Sequence, residues 1–283
     1  MLDKVEITKM HGNGNDFVLV DEFDKELIPE ELKPEFVKAV CNRRFGVGAD
    51  GMLFVQPSIV ADARFRYFNS DGSEAEMCGN GIRCFSRYIV EEGYVDRNVI
   101  KVETLAGVLE LEVDKNGWWI KVDMGEIKTK KEDIPSKVEV WGLEKVVDNQ
   151  KFTLYAVNSG VPHVVVFVDN LDFDIVKPAM LIRYDDLFPQ GTNVNFAKIL
   201  SKDEIEIRTY ERGVEDETLS CGTGSVAVAY VANKLGLVNN HVRVVTRGGL
   251  LKVDIENNRA YMTGTANRVF DGFVNLKELR YEQ

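Results

Sequence analysis

The chain has 283 residues, 45% hydrophobic and 29% charged, which fits a globular protein with sizeable cores and excludes a disordered or collagen-like chain. With 35 basic residues against 46 acidic ones the net charge is −11, so the surface repels phosphate backbones and anionic membranes, and nucleic acid is not an expected partner. The start MLDKVEITKM carries charge where a signal peptide needs an apolar core, and apolar stretches such as Val226 to Ala232 are too short to span a bilayer, so a cytoplasmic location is expected.

In chain order, β-branched and aromatic runs predict strands at FVLVD, MLFV and RFRYF, with a helix over Phe36 to Arg44 between the first two. The segment GVGADG from Gly46 fits the glycine pattern of a dinucleotide loop, but it follows a helix and precedes a strand, the reverse of the order that fingerprint needs. After Cys78 and again after Cys221 a C-G-x-G leads into apolar residues near helical spacing: Ile82, Phe85 and Ile89 in the first, Val226, Tyr230 and Val231 in the second. Gly93 and Gly236 stand where those helices should stop. KVETLAGVLELEV, WWIKVDM, VVVFVD and EIEIRTYE read as further strands. CGTGS lacks the Lys-Ser/Thr ending of a phosphate-binding loop.

The chain is doubled. Tyr67 to Gly93 lies over Tyr210 to Gly236 without gaps, at an offset of about half the chain, matching Glu74 with Glu217, Cys78 with Cys221, Gly79 with Gly222, Gly81 with Gly224 and Gly93 with Gly236. GNGNDFVLVDEFD from Gly12 overlies GVPHVVVFVDNLD from Gly160, closing on Asp21 and Asp169. ETLAGVLELEV from Glu103 overlies VTRGGLLKVDI, matching Thr104 with Thr246 and Gly107 with Gly249. The doubling predicts two pseudo-symmetric α/β domains, residues 1–123 and 124–270, with 271–283 returning to the first and a ligand cleft between them.

Four cysteines in a chain without a secretion signal are expected to be reduced, and three scattered histidines (His11, His163, His241) give zinc little to bind, so no metal is expected. A cysteine just before a helix lies among backbone N–H groups without helical partners, an environment that attracts anions and favours the thiolate. Facing each other across a two-fold axis, Cys78 and Cys221 would address one carbon from opposite sides. That is the requirement for inverting it without a cofactor, one group removing a proton and the other returning one. Two helix starts on the α-carboxylate would stabilise the charge that develops. The plainer readings are buried small hydrophobes or a disulfide joining the halves; Cys41 and Cys84, which the repeat does not pair, are read as buried.

The motifs KMHGNGNDFVLVD, CNRRFGVGADG, FNSDGSEAEMCGNGIRC, Pro162-His163, TNVNF and YERGVEDETLSCGTG together resemble the diaminopimelate epimerases over essentially the whole chain. The resemblance implies a β-barrel-like sheet around a central helix in each domain, no cofactor, a homodimer, and interconversion of L,L- and meso-diaminopimelate in lysine and peptidoglycan precursor synthesis. It implies Cys221 as thiolate base and Cys78 as thiol donor in the L,L-to-meso direction, supported by His163 and Glu211. Substrate contacts carry over to Asn15, Asn69, Gly79, Asn80, Asn193, Glu211, Arg212, Gly222 and Thr223. Arg212 suits a distal carboxylate, the asparagines an ammonium–carboxylate pair. Two positions depart from the family: Val161 stands where many members have Asn, and Gly51 where many have Gln. The rival readings are a proline-racemase-like enzyme with a similar cysteine pair, a phenazine-type isomerase, which lacks that pair, a pyridoxal-phosphate racemase, which needs a Schiff-base lysine and whose families the chain does not resemble, and a non-catalytic ligand-binding duplicate.

Overall fold

The computed structural model describes residues 3–279; the first two residues, and the last four of the segment expected to return to the first domain, lie outside the described residues. The chain divides into two compact units. One runs to Val122 and resumes at Gly264; the other is Asp123–Thr263. The first holds β1 (Lys4–Gly12), β2 (Asn15–Asp21), α1 (Lys33–Cys41), β3 (Gly51–Gln56), β4 (Ala63–Asn69), β5 (Glu74–Ala75), α2 (Gly79–Glu91), β6 (Val99–Thr104), β7 (Gly107–Asp114) and the start of β8 (Trp119–Glu126). The second holds β9 (Trp141–Val147), β10 (Gln150–Asn158), β11 (Pro162–Phe167), α3 (Val176–Arg183), β12 (Asn193–Ser201), β13 (Glu204–Glu211), β14 (Asp216–Thr218), α4 (Gly222–Lys234), β15 (His241–Thr246), β16 (Gly249–Glu256) and most of β17 (Arg259–Thr265). The closing strand, β18 (Asn267–Asn275), belongs to the first.

Both units use one ladder. In the first the order is β18–β1–β2–β3–β4–β6–β7–β8, parallel only at β2–β3 and β4–β6. In the second it is β9–β10–β11–β12–β13–β15–β16, parallel only at β11–β12 and β13–β15. Thus β18 does for β1 what β9 does for β10: the first unit completes its sheet with the C-terminal strand. The central helix α2 touches β1, β2, β3, β4 and β7, and α4 touches strands from β10 to β16, so each sheet curls around its helix. The opposite face of the first sheet packs Val18, Val20, Met52 and Phe54 on Phe36, Val37 and Val40 of α1. In the second, Val164, Val166, Val194 and Phe196 meet Ile175, Ala179 and Ile182 at α3. Strands covered on both faces explain why FVLV and MLFV are continuously apolar rather than alternating. The mixed α/β fold class read from the sequence is the one observed. No helix among the described residues is long and apolar enough to cross a membrane.

Several local expectations are corrected. The helix predicted at Phe36 to Arg44 runs Lys33–Cys41: Pro34 suits its first turn, and the Asn42 side chain accepts from the N–H groups of Arg44 and Phe45, turning the chain out. KVETLAGVLELEV is two strands. Thr104 Oγ1 donates to the Gly107 carbonyl at 2.8 Å across the turn, and Thr246 repeats this with Gly249 at 2.8 Å. The gapless match from Tyr67 fails upstream of Glu74. Arg66 grips Glu74 through Nε and Nη2, and the residue doing the same to Glu217 is Arg208, so the second unit has one extra residue in the β13–β14 turn. Phe17 and His163 hold equivalent ladder positions, which places Asp169 two residues beyond β11 and removes its match with Asp21.

Both central helices stop as anticipated, at glycines with φ +80° (Gly93) and +69° (Gly236). The next residue's N–H turns back to the helix in each case, Tyr94 to Ile89 and Leu237 to Ala232. No atom lies within 4 Å of a Cβ added at Gly93, so only the left-handed backbone resists a side chain there. Gly93→Ala should therefore lower stability by about 1 kcal/mol in urea unfolding without changing the m-value.

Candidate active site

Each central helix opens on a cysteine. Cys78 caps α2 with φ −139°, ψ 119°, and Cys221 caps α4 with φ −121°, ψ 114°: extended residues immediately before a helix whose first N–H groups face outward. All four cysteines are free thiols. Burial pushes the thiols of Cys41 and Cys84 up to about 12, so they are inert at neutral pH, as read from the sequence.

In the first unit, Asn15, Cys78 and Asn80 come together. Asp50 can only accept, and Asn15 Nδ2 donates to it at 2.7 Å, so Asn15 Oδ1 turns to Asn80 Nδ2 (3.1 Å) and Cys78 Sγ (3.8 Å). Arg43 fixes this corner by bonding both Asp16 and Asp50 at 2.7 Å. Burial raises the Asp16 carboxyl, but hydrogen bonds from Arg43 and Lys9 outweigh it and hold the group well below the usual carboxylate range. Gly46 and Gly48, which mimic a phosphate loop in sequence, instead cap α1: the N–H of Gly46 meets the Asn42 carbonyl and those of Val47 and Gly48 the Val40 carbonyl. Their turn delivers Asp50 to Asn15. Asn69 is held separately, its Oδ1 accepting from Tyr67 Oη at 2.8 Å and its Nδ2 donating to Ser73 at 3.0 Å. Tyr67 also accounts for Gly51, because a Cβ there would lie 2.6 Å from its ring and 2.6 Å from the Phe68 carbonyl. A glutamine has no room unless both that ring and the Phe68 backbone move.

Arg83, one turn inside α2, is fully buried. Its guanidinium donates to Asn13 Oδ1 at 2.8 Å and to the Gly79 carbonyl at 3.1 Å, tying the helix start to the β1–β2 turn and adding positive charge beneath it. The matching position of α4 is Val226, so this cation exists in one unit only.

In the second unit, Thr223 links His163 to Cys221. Thr223 Oγ1 lies 2.9 Å from His163 Nε2 and 3.4 Å from Cys221 Sγ, and the Gly224 N–H donates to the same sulfur at 3.4 Å. His163 is fully buried, and burial first, then the Arg212 charge, lowers its pKa to about 3; it is a neutral imidazole at physiological pH. Asn193, the ladder partner of His163, accepts from the Arg212 N–H at 2.8 Å and donates to the Pro162 carbonyl at 2.9 Å. Both contacts leave its amide with one proton and one lone pair. Arg212 Nη1 donates to the Gln190 carbonyl at 3.0 Å, and Glu211 ends β13 beside it. Gly222 packs close to Met262, where a Cβ would meet Sδ at 2.9 Å. Val161 sits in the β10–β11 turn, its carbonyl accepting from the Ser159 N–H at 3.3 Å.

Residues missed by the sequence reading are Arg43, Asp50, Arg83 and the buried pair Asn195 and Thr209. A signal for Asn195 existed: it stands two residues from Asn193 and so on the same face of an otherwise apolar strand. Among the described residues, no group of three or more His, Cys, Asp or Glu is placed to hold a metal ion.

The sequence profile described as diaminopimelate epimerase matches residues 7–130 and 155–269. The diaminopimelate epimerase of Archaeoglobus fulgidus is 66% identical over 280 residues, covering 99% of this chain and 99% of that protein. That of Methanothrix thermoacetophila is 48% identical, covering 97% of each. Among solved structures, a Bacillus anthracis phenazine biosynthesis protein of the PhzF family superposes with TM-score 0.72 at 20% identity, over 96% of this chain and 99% of that one. A hydroxyproline epimerase from Agrobacterium vitis superposes with TM-score 0.69 at 16% identity, over 97% and 93%. These two likenesses concern the fold.

Two outcomes follow from the burial of these groups. Iodoacetamide under native conditions should label Cys78 and Cys221 and leave Cys41 and Cys84 unmodified in peptide mass maps. Between pH 6.5 and about 3 the unfolded chain takes up a proton that folded His163 refuses, so its contribution to stability is full above pH 6.5 and is lost as the pH falls. Over that window the stability advantage of wild type over His163→Gln in denaturant titrations should shrink by up to about 1.4 kcal/mol per pH unit.

Proposed function

We propose that this chain, which belongs to the diaminopimelate epimerase family, interconverts L,L- and meso-diaminopimelate by two-base proton transfer between Cys221 and Cys78. It is an amino-acid epimerase of lysine biosynthesis. The observation that carries the division of labour is the polarity of the atoms at each sulfur. Cys78 is offered an acceptor, Asn15 Oδ1, which suits a thiol S–H; Cys221 is offered a donor, the Gly224 N–H, and a hydroxyl able to donate, that of Thr223, which suit a thiolate. In this reading Cys221 removes the α-proton of the L,L-isomer and Cys78 delivers a proton to the opposite face, with roles exchanged in reverse. The two groups titrate as one coupled unit.

The N–H groups at both helix starts, with Gly79, Asn80, Gly222 and Thr223, hold the α-carboxylate and stabilise the negative charge that grows on it as the proton leaves. Buried Arg83 adds to that field on the Cys78 side. Glu211 takes the reacting ammonium, and Arg212 with Asn69, Asn193 and Asn15 takes the distal amino-acid end, where Val161 offers no side-chain donor. Neutral His163 acts through Thr223 rather than as a proton carrier. The family's homodimer and a cytoplasmic setting complete the proposal.

Incubation with L,L-diaminopimelate in deuterated water should give meso product carrying α-deuterium. Cys78→Ala and Cys221→Ala should each lower epimerisation by at least a thousandfold; full activity in either variant overturns the two-base assignment. Lysine, which lacks the distal carboxylate, should be turned over at a negligible rate, and turnover equal to that of diaminopimelate overturns the role given to Arg212.

A further inference from the structure

A neutral imidazole can carry its proton on either nitrogen, and the choice decides what it offers its neighbours. His163 Nδ1 lies 3.1 Å from Asn195 Nδ2, which also sits 3.0 Å from the Val164 carbonyl. A carbonyl only accepts, so the amide atom facing it is the nitrogen, and Thr209 Oγ1, donating to Asn195 Oδ1 at 2.9 Å, holds the amide that way round. The second amide proton then points at Nδ1. Asn195 and His163 are fully buried, so no water replaces these contacts at low cost. Gly224 makes room for the arrangement: a Cβ there would lie 2.5 Å from Asn195 Oδ1.

We infer that Asn195 is a positioning residue that fixes His163 in its Nε2–H form, so that Nε2 donates to Thr223 and the Thr223 hydroxyl is left to donate to the Cys221 sulfur. The order is Thr209 to Asn195 to His163 to Thr223 to Cys221, each group donating to the next. With the other tautomer, Nε2 would accept the Thr223 proton and the sulfur would lose that donor. When Cys221 holds a proton, the same hydroxyl accepts it, so the relay serves both states of the thiol. The inference rests on the reading of Cys221 as a base; it adds what sets the strength of that base. Nothing in the first unit repeats it: the position equivalent to His163 is Phe17.

With only three histidines in the chain, ¹⁵N–¹H correlation of histidine-labelled protein, assigned with His163→Gln, reads the tautomer directly. Wild type should show a protonated Nε2 and an unprotonated Nδ1; a protonated Nδ1 overturns the proposal. Thr223→Val should keep that tautomer and, in a Cys78→Ala background, slow alkylation of Cys221 about tenfold at neutral pH, the effect of losing one hydrogen bond to a charged group. An unchanged rate overturns it. Asn195→Asp cannot donate to Nδ1, so where it folds the proton should move to Nδ1 and alkylation should slow to the Thr223→Val level; an unmoved proton overturns it. Absence of α-deuteration by wild type, with the tautomer as stated, fails the catalytic reading and leaves the assignment of Asn195 standing.

Discussion

A helix wrapped by its own sheet is reachable only at its ends, and that enclosure governs the rest of each unit. Ten of the thirteen residues of α2, and ten of the thirteen of α4, are buried, including the polar Arg83, Ser86 and Ser225. The first turn is left as the place where backbone N–H groups have no partner within the helix. A cysteine there inherits the dipole and the open donors together. Glycine on either side is demanded by crowding: Gly81 and Gly224 sit against their own cysteine, and Gly222 against Met262.

Duplication supplies two such helix starts, but the surroundings have diverged in a chemically useful direction. The corner around Cys78 is built from a carboxylate cascade in which Arg43 holds Asp50, Asp50 turns Asn15, and Asn15 presents an oxygen. The corner around Cys221 links the sulfur through a hydroxyl to an imidazole, with the Gly224 N–H donating to the same sulfur. Matching thiols on matching helix starts thus meet different hydrogen-bonding partners a few ångströms away.

In each ladder a strand lies outside the first hairpin: in the second unit it is β9, from the residues just before that hairpin, and in the first it is β18, from far along the chain. Stability of the first unit therefore depends on contacts between residues far apart in sequence, such as Thr8 with Asp271 and Arg268 with Glu91 and Glu92.

What the sequence by itself determined was whatever is local or periodic: the two C-G-x-G helix starts, the glycine stops at Gly93 and Gly236, and the apolar runs that become doubly covered strands. Its motifs carry the family as well, because they are contiguous. Residues whose role depends on strands meeting sideways were not legible. Asp50 was hidden in a false dinucleotide loop, and Arg66 and Arg208 show that a gapless alignment can be one residue out where a turn lengthens. The same holds for Asp21 and Asp169, which match in sequence and part in the ladder. Asn195 shows the reason most plainly, since an asparagine's partners are set by which strand lies beside it and which helix start rests above it. Hydrogen-bond direction, and with it the tautomer of His163 and the polarity offered to each sulfur, is decided only when the tertiary fold brings those atoms within 3 to 4 Å.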